Sequence, residues 1–444
     1  MIEQLMQLIN EGKYAEVRNI LIKNNVVDIA QMLELIDEES IIIVFRLLPK
    51  EMAVDVFSYL SLERQQYIIE AITDKEIQNI IDNLFLDDTI DLLEEMPANV
   101  VKKILKNTTE DKRKIINQFL NYPENSAGSI MTIEYVDLKK EMTVAQALEH
   151  IKKTGVDKET IDVCYVIDSS RKLEGVIHLR KLVLSEQNIV IEKIMDTNII
   201  ALNTYDQRDK IASLFKKYDL LAMPVVDNEN RLVGIITVDD VVDIIEQENT
   251  EDFQKMAAMQ PAEEEYLKAN IFSLAKNRIL WLLVLMISAT FTGNIIRSYE
   301  DVLQSVVVLA AFIPMLMDTG GNAGSQSSTL IIRGLALEEI KLTDFLKVLW
   351  KEFRVGLVVA IALAGVNFLR ILLLEKTDVK VTITVCISLF VTVIIAKVIG
   401  GILPIIAKSV KIDPAIMAGP LITTIVDAMA LITYFSIATI LLGI

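Results

Sequence analysis

Histidine and cysteine are scarce in this 444-residue sequence, which holds only two of each. Zinc and copper sites are built mainly from imidazole and thiolate ligands, and both His150 and His178 lie outside the long apolar segments of the second half. A zinc protease within a membrane is therefore excluded. Cys164 and Cys386 lie in apolar runs, which predicts buried thiols, no disulfide framework and a reducing compartment for the first half.

Two common signals are also missing. The sequence has no Gly-x-x-x-x-Gly-Lys-Ser/Thr loop, so it carries no sign of a Walker-type ATP motor. Its first residues, MIEQLMQLINEGK, lack a basic region followed by an apolar core. We therefore expect no secretory signal peptide and a first half that stays in the cytoplasm.

Acidic side chains are in excess, and they are unevenly distributed. The net charge is −17, yet from residue 276 onward 14 Lys and Arg stand against 11 Asp and Glu. The first 275 residues thus hold 30 basic and 50 acidic side chains, a net charge of −20. Because 52% of all residues are hydrophobic, we expect an acidic soluble half joined to a nearly neutral membrane half. Such acidity disfavours nucleic acid and favours cations as partners.

Residues 1–127 predict an all-α domain of short amphipathic helices with an internal repeat. The segment Pro49–Leu60 aligns with Phe85–Met96, 36 residues later, and repeats of this length are typical of stacked helical hairpins in a solenoid. Asp87 and Asp91 are four residues apart and share one helix face. They are candidate cation ligands, and the alternative is a solvated acidic face.

A second repeat occupies residues 128–250. The segment Val166–His178 aligns with Val225–Thr237, 59 residues later, and each copy predicts a strand, a turn of Asx-Gly type, a strand and a helix. This pair resembles tandem CBS domains, which have an α/β fold and are usually regulatory. The resemblance covers both copies.

The resemblance also implies one nucleotide site. The second copy has the family pattern Gly-hydrophobic-hydrophobic-Thr-x-x-Asp, with Thr237 and Asp240 at the positions that hold an adenosine ribose in nucleotide-binding relatives. The first copy has His178 and Lys181 instead. We therefore expect at most one site, with ATP as its regulatory ligand.

An acid-rich helix from Asp239 leads toward the membrane half, with Pro261 as an interruption and a resumed helix through Lys276. Basic residues cluster before the first apolar segment, between the second and third, and between the fourth and fifth. The positive-inside rule then places the N-terminus in the cytoplasm and the C-terminus outside. The five apolar segments are approximately 279–296, 302–332, 355–374, 381–407 and 414–442.

Asp427 is the one charged residue of the last apolar segment beyond Asp413 at its start. At about 1.5 Å per helical residue it lies roughly 20 Å from Asp413, within a hydrocarbon layer about 30 Å thick. A carboxylate at this depth costs at least about 2.5–3.5 kcal/mol, so a functional role is the default interpretation. The alternative is a buried acid that is hydrogen-bonded to a neighbouring helix or protonated.

Two of the five segments contain helix-breaking residues. The second includes Thr319-Gly-Gly-Asn-Ala-Gly324, and the fifth includes Gly419-Pro420. Irregular backbone at membrane depth lines an aqueous cavity or is buried in protein, and exposed carbonyls beside a carboxylate are typical of a cation site. The alternative for the glycines is close helix packing.

The groups near Asp427 are carboxylate, carbonyl, hydroxyl and amide oxygens, which favour a hard cation. Mg²⁺ loses its water reluctantly and is often held by one or two carboxylates through retained waters. One aspartate per chain suits a homodimer in which two carboxylates face one hydrated ion.

The order of acidic helical domain, CBS pair, connecting helix and five spans resembles the MgtE family of magnesium channels along the whole chain. The Thr-Gly-Gly-Asn-x-Gly motif and the Asp413-Pro…Pro420…Asp427 motif also resemble that family. The resemblance implies a homodimer whose pore lies between the second and fifth spans. It implies pore contacts to Mg²⁺ from Asp427, Thr423, Gly321 and Gly324. Regulatory cytosolic contacts would come from Asp87, Asp91, Asp209, Asp219, Asp240, Asp243, Glu248, Glu251 and Asp252. Gly419 stands where the family commonly has an asparagine near the gate.

The predicted fold class is therefore a multi-domain membrane protein with no enzymatic activity. It should lie in the plasma (inner) membrane as a multi-pass protein, with residues 1–275 cytoplasmic, and take part in magnesium homeostasis. The predicted parts are an acidic helical domain (1–127), two CBS domains (128–188 and 189–250), a connecting plug helix (251–276) and a five-helix transmembrane domain (277–444).

The hypothesis for the mechanism is passive, gated Mg²⁺ uptake. A divalent cation moving inward gains about 4.6 kcal/mol per 100 mV of inside-negative potential, twice the single-charge figure. Cytosolic Mg²⁺ would bridge the acidic regions and favour a closed state. Two alternatives stay open: a carrier or exchanger of other divalent cations such as Co²⁺ and Mn²⁺, and an intramembrane aspartic protease that uses Asp318 and Asp427 as a pair sharing one proton.

Overall fold

The computed structural model describes residues 2–262, 266–267, 269–375 and 377–443. The chain divides into two compact units, Met1–Ile245 and Glu246–Ile444, and each is described by itself. The predicted fold class is confirmed, because a helical domain, two CBS folds and five long apolar helices follow one another along the chain.

Ten short helices form the first part of unit one, and each begins 12 residues after the one before it. Odd-numbered helices pack in one row, with α3 on α5, α5 on α7 and α7 on α9, whereas α2, α4 and α6 pack in a second row. The helices are α1 (Ile2–Asn10), α2 (Tyr14–Leu21), α3 (Val26–Leu35), α4 (Glu38–Leu47), α5 (Lys50–Ser58), α6 (Leu62–Ala71), α7 (Asp74–Asn83), α8 (Leu86–Glu95), α9 (Ala98–Asn107) and α10 (Glu110–Phe119).

The repeat unit of this domain is one helix. The predicted 36-residue repeat therefore spans three helices, and it relates α5 to α8 rather than one hairpin to the next. Each helix is short because a polar cap or a proline starts it, as Asp37 does for α4, Thr73 for α7 and Pro97 for α9. Each then buries a few apolar side chains against its neighbours in the row, so no single helix is stable alone.

Two three-stranded sheets follow, one in each CBS fold. In each, the first strand is parallel to the second and the second is antiparallel to the third. The elements are α11 (Ala127–Ile130), β1 (Val136–Leu138), α12 (Val144–Thr154), β2 (Val163–Ile167), β3 (Leu173–His178), α13 (Leu179–Leu184), β4 (Leu202–Asn203), α14 (Arg208–Tyr218), β5 (Ala222–Val226), β6 (Leu232–Thr237) and α15 (Val238–Met256), with 3₁₀ turns at Gly155–Asp157 and Ile191–Lys193.

In both copies the hairpin turn is stabilised by an aspartate side chain and not by a glycine. The Asp168 carboxylate accepts from the backbone N–H of Ser170 at 2.7 Å and of Lys172 at 2.8 Å, and Asp227 makes the equivalent contacts in the second copy. The glycines of the repeat lie within β3 and β6. A Cβ there would approach Met195 or Met131 at 2.6–2.8 Å, so the methionine that opens each copy packs on the strand of the other.

Helix α15 begins at Val238 and ends at Met256. The next helix begins at Ile271, so the connecting segment predicted for 251–276 is not one helix. Ala257–Ala262 is non-helical, and Glu263–Glu265 and Lys268 lie outside the described residues.

Among the described residues of unit two, five helices have the length and apolar composition to cross a membrane, as predicted. The third of these helices begins before the apolar segment predicted for it, because the residues ahead of that segment, which include Lys347, Lys351 and Arg354, are also helical. The helices are α16 (Ile271–Ser298), α17 (Glu300–Ser305), α18 (Ile313–Ala336), α19 (Phe345–Arg370), α20 (Val379–Ser409) and α21 (Gly419–Leu442), with 3₁₀ segments at Val307–Phe312, Leu342–Asp344 and Pro414–Met417 and a π-helical segment at Ile371–Glu375.

Helices α18 and α20 cross at two glycines. A Cβ placed on Gly400 would overlap the carbonyl oxygen of Gly324. We expect Gly400→Ala to destabilise the membrane unit by about 1–3 kcal/mol, because the added methyl forces the helices apart. Thermal unfolding in detergent measures this loss. Gly365→Ala is the matched control, since a Cβ there meets nothing within 4 Å, and equal unfolding temperatures for the two variants would contradict the expectation.

Candidate functional site

The glycine-rich stretch of the second span is regular helix. Helix α18 runs from Ile313 to Ala336 without interruption, so the predicted break at these glycines is wrong, and the irregular part lies before it at Val307–Phe312. A Cβ on Gly320 would lie 2.9 Å from Thr392. The glycines therefore serve close helix packing, the alternative stated for them above.

This regular backbone limits what Gly321 and Gly324 can offer an ion. Within a continuous α-helix each carbonyl already accepts the N–H four residues later, so only its second lone pair is available. Gly321 packs on helix α21, where a Cβ would meet Thr423 at 3.0 Å, and Gly324 packs on Ile422 in the same way at 2.9 Å. The Thr423 hydroxyl donates to the Pro420 carbonyl at 2.8 Å, which leaves its oxygen free to accept.

Two polar side chains of α18 hold it against the neighbouring spans. The Ser327 hydroxyl donates to Oε2 of Glu352 at 2.6 Å, and Nζ of Lys397 donates to Oε1 of Gln326 at 3.1 Å. Glu352 and Lys397 are 8% and 5% exposed. The sequence interpretation above does not include either residue. Both could have been found from the sequence, because a charged residue within an apolar run is costly unless it has a partner.

Asp427 lies half-buried on α21, one turn after Thr423. It forms no ion pair with a Lys or Arg among the described residues, and the charged group that acts on it is another carboxylate, Asp318. The alternative of an acid locked to a basic partner therefore does not describe this side chain.

Helix α18 presents a polar stripe beside the face that carries its buried glycines. The stripe consists of exposed or half-exposed side chains at Asp318, Asn322, Ser325, Thr329 and Arg333. At 3.6 residues per turn these positions fall within an arc of about 80° over roughly 22 Å of helix. Side chains of this kind on a membrane span normally face a water-filled cavity or another subunit.

The start of α21 is held by contacts from two other elements. The Ser328 hydroxyl donates to the Met417 carbonyl at 3.0 Å. Gly419 has φ +42°, and a Cβ there would approach the carbonyl oxygen of Met256 at 2.6 Å. Glycine therefore suits this position, because it adopts a positive φ readily and the Met256 carbonyl leaves no room for a side chain.

Lys255, in the last turn of α15, joins this region through two carboxylates. Its Nζ lies 2.6 Å from Oδ2 of Asp413 and 2.6 Å from Oε1 of Glu251. Burial alone would lower the pKa of Lys255, but the hydrogen bonds to these two acids more than offset it, so the pKa is raised. Lysine thus supplies a fixed cation between Glu251 and Asp413.

In unit one, acids of helix α8 face acids at the start of α15. Asp87 is buried, and burial together with the charge of Asp240 raises its pKa. The same two causes raise the pKa of Asp88 to about 6, and they raise that of Glu159 to about 7. Burial also raises the pKa of Asp240 to about 6, against an opposing hydrogen bond from Thr237. These four acids, called the acidic cluster below, gain from a bridging cation or from protons.

The structure brings together only some of the predicted regulatory residues. Asp87 and Asp240 meet in the acidic cluster, with the exposed Asp91 one turn further along α8. Asp209 and Asp219 lie at opposite ends of α14, about 15 Å apart along the helix, so within one chain they do not share an ion. The remaining four lie along α15, namely Asp243, Glu248, Glu251 and Asp252.

Asp88 and Glu159 were absent from the predicted set. Oε2 of Glu159 is buried without a hydrogen-bond partner among the described residues, which suits a cation ligand. Within the described part of the chain, no three Asp, Glu, His or Cys side chains are close enough for direct metal coordination. An ion in the acidic cluster would therefore be held through its own waters, as Mg²⁺ commonly is.

The predicted nucleotide residues contact each other. The Thr237 hydroxyl donates to Oδ2 of Asp240 at 2.8 Å, and its backbone N–H donates to the same oxygen at 3.3 Å. Because Asp240 is a member of the acidic cluster, this pair joins the start of α15 to that cluster.

The acidic cluster should make unit one sensitive to pH. Because the pKa values of these acids are raised above those of the unfolded chain, their packing is most stable below about pH 4 and weakens as pH rises through about 6 to 7. In Mg²⁺-free buffer we expect amide exchange in α8 to quicken at least about tenfold, beyond its intrinsic pH dependence, between pH 5 and 8. Hydrogen-exchange mass spectrometry of the full chain measures this change.

Asp87→Asn should flatten that pH response, since it removes the most buried acid of the acidic cluster. Asp82→Asn, which removes an exposed acid from the neighbouring helix α7, should leave it unchanged. Exchange in α8 that follows only the intrinsic pH dependence in the native chain would contradict the prediction.

Comparison with known proteins agrees with this architecture. The profile of the MgtE family, described as a divalent cation transporter, matches residues 313–437, that of the MgtE intracellular N domain matches 24–125, and that of the CBS domain matches 127–186 and 191–247. A magnesium transporter MgtE from Thermus thermophilus is 36% identical over 80% of this chain and 80% of its own. Another from Bacillus subtilis is 36% identical over 81% of this chain and 79% of its own.

A solved structure, described as the cytosolic domain of the Mg²⁺ channel MgtE in complex with ATP, is 32% identical to the matched region. The match covers 55% of this chain and 100% of the chain in the solved structure, with a TM-score of 0.52.

Proposed function

Because this chain belongs to the MgtE family of divalent cation transporters, we propose that it carries Mg²⁺ across the plasma membrane as a homodimer and has no enzymatic activity. The ion path runs between α18 and α21. The polar stripe of α18 forms one wall, and Asp427 with Thr423 forms the other. The second chain of the dimer completes the path, so that two Asp427 carboxylates face one hydrated ion.

The observation that carries this proposal is Asp427 itself, a half-buried carboxylate in an apolar span with no basic partner among the described residues. Such a group is too costly to keep at membrane depth unless it faces water or a cation. The oxygen groups around it favour a hard divalent cation over zinc or copper. Co²⁺ and Mn²⁺ have overlapping preferences and are the competing substrates.

The N-terminus and residues 1–275 lie in the cytoplasm under this proposal, and the C-terminus lies outside. Lys341, Lys347 and Lys408 then fall on the cytoplasmic side of the spans, in agreement with the positive-inside rule. The membrane potential drives the ion inward, so no ATP hydrolysis is required.

Cytosolic Mg²⁺ regulates the path. When Mg²⁺ is abundant, it bridges the acidic cluster and the carboxylates along α15, and a closed state is favoured. Helix α15 carries Asp240 in its first turn and Lys255 in its last. Lys255 contacts Asp413 directly ahead of α21, so a shift of α15 reaches the start of the helix that holds Asp427. ATP bound near Thr237 and Asp240 would bias the same equilibrium, as the ATP complex of the relative suggests.

Uptake of Mg²⁺ into proteoliposomes that contain the purified full chain tests this function. We expect uptake that saturates, that is driven by an inside-negative potential and that is reduced by Co²⁺ and Mn²⁺ more than by Ca²⁺. Uptake no faster than in protein-free vesicles would overturn the proposal. An intramembrane protease would instead cleave peptides within a membrane and lose this activity in Asp318→Ala.

A further inference from the structure

Asp318 belongs to the polar stripe that forms one wall of the proposed ion path, and its carboxylate is charged, unlike the amide and hydroxyl groups of Asn322 and Ser325 beside it. It is an exposed carboxylate on α18, about one and a half turns from the start of the helix at Ile313. It forms no ion pair among the described residues. An acid at this position in a span needs water, a cation or a basic partner.

Helices α18 and α21 are antiparallel where they touch, and the contacts give their register. Gly324 lies against Ile422, Gly321 against Thr423 and Gly320 against Val426, so residue numbers fall on one helix as they rise on the other. Asp318 is three residues before Gly321, and Asp427 is four residues after Thr423. At about 1.5 Å per residue these steps are about 4.5 and 6 Å in the same direction. The two carboxylates therefore lie at nearly the same level.

They also lie on the same side of the helix contact. From Gly321, Asp318 is reached by a rotation of about 60° around α18, away from the face that packs on Ile422 and Val426. Asp427 is reached from Thr423 by a rotation of about 40° around α21, in the corresponding direction. Both acids therefore border one groove, whose floor is the Gly321–Thr423 contact. The Coulombic repulsion that Asp318 exerts on Asp427 agrees with this placement.

A second observation, the amide and hydroxyl side chains that follow Asp318 along α18, indicates that this groove is wet. Asp318 is the first member of the polar stripe of α18, which continues through Asn322 and Ser325 to Thr329. Amide and hydroxyl side chains in such a row bind water and the hydration shell of an ion, and they have no role toward lipid.

We propose that Asp318 is a second carboxylate of the ion-selecting site, and that each chain presents Asp318 and Asp427 together to one hydrated divalent cation. This inference rests on the proposed function and deepens it. Two carboxylates per chain hold the waters of a divalent ion at more points than one. They also make the site too negative for a monovalent cation to neutralise, so Asp318 sets the preference for divalent over monovalent cations.

The test compares Asp318→Asn with the native chain in proteoliposomes, using Mg²⁺ with and without excess K⁺. We expect the KM for Mg²⁺ to rise at least about 100-fold, because the proposed homodimer loses two charge-assisted contacts to the ion, one from each chain, while the maximal rate falls less than KM rises. Inhibition by K⁺ should appear in the variant and be absent from the native chain. Asp318→Glu, which keeps the charge, should restore the preference for Mg²⁺ over K⁺.

Asp301→Asn is the matched control, because it removes an equally exposed acid from the short helix α17 ahead of the second span. KM and K⁺ inhibition in Asp318→Asn that equal those of the control would overturn this inference. A native chain that carries no Mg²⁺ would overturn the proposed function instead, so the two failures are distinguishable. Thermal unfolding of each purified variant, unchanged from the native chain, separates loss of selectivity from loss of folding.

Discussion

Replacing Asp427 with Asn should reduce Mg²⁺ uptake by about 100-fold or more. A charge-assisted hydrogen bond contributes about 1.5–3 kcal/mol, and the proposed homodimer places two Asp427 carboxylates on one ion. Losing both removes about 3–6 kcal/mol of binding, which corresponds to roughly 10²–10⁴ in affinity. Asn has the size of Asp, so the packing of Val426 and Ile422 against α18 should remain.

Initial uptake rates in proteoliposomes, at Mg²⁺ concentrations below and above the native KM, measure this loss. Thr424→Val is a useful control, because Thr424 lies on the same helix and is not among the residues assigned to the ion path; its hydroxyl donates to the Pro420 carbonyl at 2.9 Å. That variant should retain most of the uptake. If Asp427→Asn transported at the native rate, the assignment of the pore site would be wrong even with the family membership unchanged.

Neutralising the acidic cluster should abolish inhibition by cytosolic Mg²⁺. In the triple variant Asp87→Asn, Asp88→Asn, Glu159→Gln, the carboxylates that would share an ion become amides, which neither repel each other nor attract Mg²⁺. At 100 times its dissociation constant a bound ion favours its preferred state by about 2.7 kcal/mol, roughly a 100-fold shift in population. Without that bound ion, uptake by the variant should vary less than about threefold over the cytosolic Mg²⁺ concentrations that reduce uptake by the native chain at least about tenfold.

Single-channel or flux recordings with Mg²⁺ varied on the cytosolic face alone measure this change. A control variant that removes equal charge from exposed positions of the helical domain, Asp28→Asn, Glu63→Gln and Asp82→Asn, should keep native inhibition. Native inhibition in both triple variants would exclude the acidic cluster as the Mg²⁺ sensor, and equal loss of inhibition in both would assign regulation to net charge. Protection of residues 1–245 from protease by millimolar Mg²⁺ should also be lost in the first variant and kept in the second.

Much of the architecture was accessible from local patterns. Five apolar runs of sufficient length predict five spans, and each is present. The 59-residue repeat predicts two CBS folds, and both are found. The one-helix repeat of the first domain was missed because the 36-residue alignment spans three of its 12-residue units. Neighbouring helices share few identical residues, so the 12-residue period is hard to see in the sequence.

The candidate site was only partly accessible. Asp427 stands out in the sequence as an isolated charge, and Asp87 and Asp240 stand out as acids on predicted helices. Glu159 does not, because it follows an irregular turn far along the chain from α8 and reaches the acidic cluster only through the packing of the CBS fold. Lys255 was equally hidden, since its partner Asp413 is 158 residues away.

By itself the sequence determined the spans, the repeats, the family resemblance and a carboxylate at membrane depth, because hydropathy, period and motif spacing are properties of neighbouring residues. Only the tertiary structure decided that the glycines of α18 pack rather than break the helix. It also set the register that brings Asp318 level with Asp427, and it joined Lys255 to Asp413. The physical reason is that helix register depends on which side chains are small enough to let two backbones approach, and that depends on both helices at once.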